Sequence, residues 1–173
     1  LAMLLAVIPV SFAGDIWLRV DTDRQTLSVM EGESVRLTFE DIAIGRYGVT
    51  KDKRKGDNRT PLGKFNIGWI KESSRFHLFM GLDFPNPDIA RRALRKGDID
   101  RDQWQRIRQA FHIGETPPQN TPLGGFIGIH GVGAGDLEIH GQYNWTNGCI
   151  AITNDQMDEL AEWVTIGTPV EIH

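Results

Sequence analysis

A chain of 173 residues is one domain's worth of polypeptide, long enough to bury roughly two thirds of the surface it exposes when unfolded. A formal net charge of −4 argues against a general nucleic-acid binder, which would present a basic surface. The single cysteine excludes an internal disulfide, and no Cys or His cluster has the spacing of a metal site.

Residues Leu1 to Ala13 carry no charge and end in Ser11-Phe12-Ala13, with small residues at the two positions a signal peptidase reads. This predicts the end of a secretory leader, too short to span a bilayer, with a buried strand as the alternative. No other stretch could cross a membrane. In an exported protein a lone thiol is spare, intermolecular or chemical.

The first third alternates apolar and polar residues in Ile16 to Val20, Thr26 to Met30 and Val35 to Phe39, with a turn at Glu31-Gly32-Glu33. That pattern predicts an antiparallel meander. Lys51 to Asp57 reads as a charged, solvated loop. Thr60-Pro61-Leu62-Gly63 turns into a strand from Lys64 to Ile70, and another follows at Phe76 to Leu82.

Residues 84–120 read as a helical insertion. Asp88 can cap a helix running to about Lys96, where Gly97 stops it. Asp100 can cap a second, in which Trp104, Ile107 and Phe111 share one face. The insertion holds seven Lys/Arg against four Asp and one Glu, which reads mostly as a solvated face. Pro117-Pro118 closes it.

Strands are then predicted at Phe126 to His130, Leu137 to His140 and Cys149 to Ile152. A helix capped by Thr153 or Asn154 follows, with Met157, Leu160, Ala161 and Val164 on its buried face, ending at Gly167-Thr168-Pro169. Val170-Glu171-Ile172 closes the sheet. The fold class is mainly β with a few helices.

Cys149 follows a glycine in Thr146-Asn147-Gly148-Cys149-Ile150-Ala151-Ile152, nineteen positions after His130 of Gly128-Ile129-His130-Gly131. A thiolate, not a thiol, is the nucleophile, and an imidazole in reach can take the proton. A histidine-activated thiol is expected to react well below its ordinary pKa of about 8.5, whereas a buried structural cysteine stays inert. Gly148 leaves room for backbone donors beside the sulfur, which suits an oxyanion hole. His140, in a second Ile-His-Gly triplet, is a rival for the base. His77, His112 and His173 read as surface or structural.

Gly128-Ile129-His130-Gly131 together with Asn144-Trp145-Thr146-Asn147-Gly148-Cys149-Ile150-Ala151-Ile152-Thr153-Asn154 resembles the signature of the L,D-transpeptidase (YkuD-like) catalytic domain. The Ile16–Phe39 hairpin and Thr60-Pro61-Leu62-Gly63-Lys64-Phe65 match the family's opening, so the resemblance runs from about Ile16 to Ile172. It implies an L,D-transpeptidase-like β-sandwich or mixed sheet over residues 14–173, with the insertion at about 84–120 and a helix before the last strand. It also implies a cysteine acyltransferase, free of cofactor and metal, acting on peptidoglycan stem peptides in the periplasm or cell envelope.

On that resemblance Cys149 attacks an amide carbonyl, and His130 serves as base and then acid. The Gly131 carbonyl orients the ring, and the N–H groups of Asn147, Gly148 and Cys149 are oxyanion donors. His140, Trp145 and Thr146 line the cleft or bind substrate, while Trp145 and Tyr143 are equally open to a core role.

Two departures stand out. Asn147 replaces a histidine or lysine common in the family two residues before the cysteine, and Ala151 replaces an arginine common two after it. From Ile113 to His173 there are eight Asp/Glu and no Lys or Arg. A substrate carboxylate would therefore need Arg75, Arg46 or Lys64. Water as acceptor would make the same site an L,D-carboxypeptidase or amidase, and a decayed site would leave a wall-binding module. Oligomeric state stays open.

Overall fold

The computed structural model describes residues 14–173, so the leader read at residues 1–13 lies outside the described residues. Strands β1 (Ile16–Asp21), β2 (Thr26–Glu31) and β3 (Ser34–Phe39) form the antiparallel meander that the alternation predicts. Leu18, Val20, Leu27 and Val29 turn inward and are fully buried, while Arg19 falls on the opposite face. Gly32 takes φ +58° in the connecting turn, where Trp17 Nε1 donates to its carbonyl at 2.8 Å.

Strands β4 (Val49–Thr50) and β5 (Thr60–Pro61) pair in parallel around the charged loop. The loop is less solvated than its composition implies: Lys53 is 3% exposed. Its ammonium meets the carboxylate of Asp57 and donates to the Arg54 carbonyl at 3.0 Å. A buried charge needs such partners.

Strand β6 (Gly63–Ser73) runs for 11 residues and is bulged between Ile67 and Trp69. Before the bulge it pairs with β10 (Pro169–Ile172), and after it with β7 (His77–Leu82). A bulge bends its strand, and this one joins the two halves of a single eight-stranded mixed sheet. The order is β3-β2-β1-β10-β6-β7-β8-β9, where β8 is Gly128–Gly131 and β9 is Ile150–Ile152. The last strand of the chain thus sits in the middle, parallel to β1 and antiparallel to β6.

The insertion forms helices α1 (Pro87–Lys96) and α2 (Arg101–His112). The residue that caps α1 is Asn86, not Asp88. Its Oδ1 accepts from Ile89 N at 2.9 Å while its Nδ2 donates to the Lys64 carbonyl, and Pro87 opens the helix. Asp88 instead sits in the first turn, paired with Arg91. Asp100 caps α2 as expected, in a reciprocal box with Gln103. Ile89, Ala90, Ala93 and Ile107 join the same core as the sheet, so the insertion is packed into the domain.

Two further expectations change. Leu137 to His140 is not a strand but part of a short helix, α3 (Leu137–Gln142), which Asp136 caps through the N–H groups of Glu138 and Ile139. The C-terminal helix α4 (Asn154–Ala161) is capped by Thr153 and buries Met157 and Leu160. Ala161 is exposed, because the helix ends there; Val164 reaches the core from the following turn. Among the described residues no helix is long and apolar enough to cross a membrane.

Candidate active site

The register of the last two strands at one edge of the sheet, β8 and β9, brings the thiol and the imidazole to one face. β8 and β9 run parallel with His130 opposite Ala151, and Phe79 of β7 lies opposite His130 on its other side. Side chains two apart along a strand share a face, so Cys149, just ahead of β9, emerges on the face that carries His130 and Phe79. The neighbouring positions Ile129, Ile150 and Ile152 are fully buried in the core. A cleft of about 690 Å³ opens over Cys149, walled by Trp69, Phe76, Phe79, Phe126, Asn147 and Arg75. A second hollow of about 430 Å³, on the Trp145 side, shares Arg75 and Phe76 with it.

His130 is 2% exposed and held by aromatic rings, with Phe76 at 4.3 Å, Trp145 at 5.8 Å and Phe79 at 6.0 Å between centroids. Its Nδ1 lies 2.8 Å from the Gly131 carbonyl. A carbonyl can only accept, so Nδ1 carries the proton and Nε2 keeps the lone pair that a base needs. Burial pushes the His130 pKa below its ordinary 6.5; the Gly131 carbonyl opposes this, and the positive charge of Arg75 reinforces it.

Cys149 is partly exposed at the cleft floor, and its thiol donates to the Phe126 carbonyl at 3.4 Å. Phe126 holds φ +54° and is itself braced by Gln119, whose Oε1 accepts its N–H at 2.7 Å. Burial pushes the Cys149 thiol up to about 11, against the Gly128 N–H and the charge of Lys53, which both favour the thiolate. Both shifts favour the neutral form, thiol for Cys149 and imidazole for His130.

The loop carrying Cys149 is stitched down along its length. Asn144 Oδ1 accepts from Ile44 N and Gln25 Nε2, both at 2.9 Å. Thr146 exchanges backbone bonds with Ile44 and Arg46, and Ala151 does so with Ala43. The buried Thr146 hydroxyl donates to the Cys149 carbonyl at 2.7 Å and accepts from Gly148 N at 3.1 Å. Thr146 thus shapes the loop from beneath and does not line the cleft. Its bond also occupies the Gly148 N–H, which leaves the Asn147 and Cys149 N–H groups as the donors beside the sulfur. Gly148 takes φ +126°, and a Cβ there would lie 2.7 Å from the Arg59 carbonyl, so only glycine fits.

His140 sits on α3 and does not line the cleft over Cys149. It is 5% exposed and lies behind Trp145, whose Nε1 donates to its Nδ1 at 3.3 Å, and its Nε2 has no partner among the described residues. Trp145 itself bridges the two histidines, edge-on to both rings. Arg75 lies in the cleft wall with its guanidinium 4.9 Å over the Phe76 ring. Arg46 bonds the Asn147 side chain, and Lys64 pairs with Glu171 at 3.7 Å and does not line the cleft. Among the described residues no three metal-binding side chains converge.

Sequence reasoning misses Lys53 and the Phe126 carbonyl. Neither carries a recognisable signal, because one looks like loop charge and the other is a backbone atom whose residue is held by a glutamine seven positions earlier.

A mixed sheet whose β8–β9 edge presents a histidine and a cysteine on one face defines a class of β-rich cysteine domains. The L,D-transpeptidase catalytic domain family (YkuD) matches residues 15–172, and the chain belongs to that family. Among solved structures it resembles Bd1075 from Bdellovibrio bacteriovorus, at 18% identity and TM-score 0.59, over 95% of this chain and 50% of that one. It also resembles the helical cell shape determining protein Pgp2 from Campylobacter jejuni, at 20% identity and TM-score 0.58, over 94% and 49%. For the catalytic domain of the Enterococcus faecium L,D-transpeptidase the figures are 18% and 0.52, over 94% of this chain and 100% of that domain. The chain thus spans about half the length of the first two proteins. No curated protein matches it.

Proposed function

We propose that this domain is a cysteine-dependent L,D-transpeptidase that acts on peptidoglycan stem peptides through a thioester acyl-enzyme. The observation that carries the reading is that the strand register sets His130, its Nε2 without a partner among the described residues, on the same sheet face as Cys149, which lines an open cleft. As the sulfur leaves the Phe126 carbonyl and attacks the substrate carbonyl, its proton passes to His130 Nε2. The N–H groups of Asn147 and Cys149 receive the developing oxyanion. The tetrahedral adduct then expels the terminal D-amino acid, whose amine takes the proton from His130. An acceptor amine resolves the thioester by the reverse route, giving up its proton to His130 and restoring the Cys149 thiol.

Arg75 is the candidate partner for the substrate's free carboxylate. It alone of the three cations considered faces the cleft without a bond to another side chain among the described residues. A planar guanidinium binds a carboxylate in two-point fashion, and here it is already held flat over Phe76. Because the polymer lies outside the cytoplasm, we place the protein in the cell envelope. There its role in wall shape would be comparable to that of the helical cell shape determining protein of Campylobacter jejuni.

The test is mass spectrometry of muropeptides incubated with the domain. Cross-linked products through L,D bonds are the expected result; products only trimmed of their terminal residue would make it an L,D-carboxypeptidase. Cys149→Ser should lower turnover by at least about a thousandfold with the fold intact. Full activity in that variant would overturn the assignment.

A further inference from the structure

We propose that Lys53 is a positioning residue for the nucleophile, a buried ammonium held under the Gly148–Cys149 turn to favour negative charge there, with its strength set by Asp57. The inference rests on the thiol chemistry proposed above but not on the identity of the substrate.

Lys53 is the least exposed charged side chain of the described residues, and it lies in a wedge of loop, residues 53–59. The wedge is closed by Asp57, whose carboxylate accepts from Arg54 N at 2.8 Å and Arg59 N at 3.0 Å as well as meeting the Lys53 ammonium. One end is tied to the cleft-wall segment through Lys55 N to the Pro122 carbonyl at 2.8 Å. The other end lies against Gly148: a Cβ built there would be 2.7 Å from the Arg59 carbonyl and 3.3 Å from Lys53 Cε. The lysine stem thus packs against the turn that precedes the sulfur.

A buried ammonium is costly, and a loop needing only shape would be served as well by an apolar side chain. The C-terminal third that carries Cys149 has no Lys or Arg of its own, so this cation enters from elsewhere in the chain. Its charge favours the thiolate of Cys149 against burial. The other charged or titratable groups facing that thiol are His130 from β8, Arg75 beyond β6, and Lys71 and Glu72 on the β6 wall, with Arg46 reaching only the Asn147 side chain. Of these, none is buried beneath the turn.

The experiment is the pH dependence of Cys149 alkylation by iodoacetamide, which needs no substrate and so stands apart from the fate of the transpeptidase reading. Lys53→Met keeps the stem and removes the charge; it should slow alkylation at pH 8.5 on the order of tenfold, one unit of upward displacement in the profile. Asp57→Asn leaves the ammonium without its counter-charge and should displace the profile downward. Lys53→Arg should restore most of the parent rate. Opposite displacements support the proposal, because loss of loop shape alone would move both variants the same way. Superposable profiles in the two variants, or shifts of one sign, would overturn it. Should Lys53→Met fail to fold, Asp57→Asn still decides by its sign.

Discussion

Thr146 shows how one hydroxyl sets the geometry of the nucleophile. It bonds the carbonyl of Cys149 and the N–H of Gly148 at once, from a position 3% exposed to solvent. Thr146→Val keeps the shape and removes both bonds, leaving a buried donor and acceptor unpaired. That should cost about 1–3 kcal/mol of stability. The turn would also loosen, so turnover should fall more than substrate affinity does, whereas Thr146→Ser should recover both. Denaturation midpoints and steady-state kinetics of the two variants check this; equal kcat in parent and Thr146→Val would show that the hydroxyl serves the fold alone. The strand-borne histidine and the cysteine after its glycine are legible in the sequence, because each sits in a short motif. The bonds that aim them are not. Asn144 reaches Ile44 and Gln25 across 100 or more residues, and Gln119 places Phe126 from the end of the insertion.

At the scale of elements, caps decide what can be read. Asp100-x-x-Gln103 and Thr153-x-x-Gln156 advertise their helices, and both form reciprocal boxes. Asp88 draws attention away from Asn86, although Pro87 marks the first helical position and so places the cap at the residue before it. α3 defeats pattern reading for a physical reason: Leu137-Glu138-Ile139-His140 alternates like a strand, yet Leu137 and Ile139 are 62% and 50% exposed. With no apolar face to bury, the Asp136 cap wins. The capping box of α2 is tested by Asp100→Ala, which should cost about 1 kcal/mol and lower the melting temperature by about 2–4 °C. Since α2 joins the core through Ile107 and does not line the cleft, turnover per folded molecule should hold. A fall in kcat without a fall in melting temperature would instead tie the insertion to the chemistry.

The whole molecule answers to pH through the two histidines flanking Trp145. Burial lowers the pKa of both His130 and His140 below 6.5, the latter against the opposing charge of Asp41. Below pH 6.5 the unfolded chain therefore binds protons that the folded chain refuses. Stability is fully present above that pH and is lost as pH falls through it toward the folded values. Each group can contribute at most about 1.4 kcal/mol per pH unit to the slope. Asp83 runs the other way: burial raises its pKa above 3.8, so its contribution favours the fold in acid and is lost as pH rises through the folded value. Asp83 is present in both parent and a His140 variant, so comparing the two isolates the histidine's share of the slope. His140→Phe removes one of the two histidines and leaves Cys149 and His130 in place, and should flatten the decline in urea-unfolding free energy between about pH 7.5 and 5. The same variant strips Trp145 Nε1 of its acceptor, which lowers stability at every pH alike. The slope, not the offset, is the readout. Parallel curves for parent and variant would mean that His140 keeps its ordinary affinity for protons in the fold.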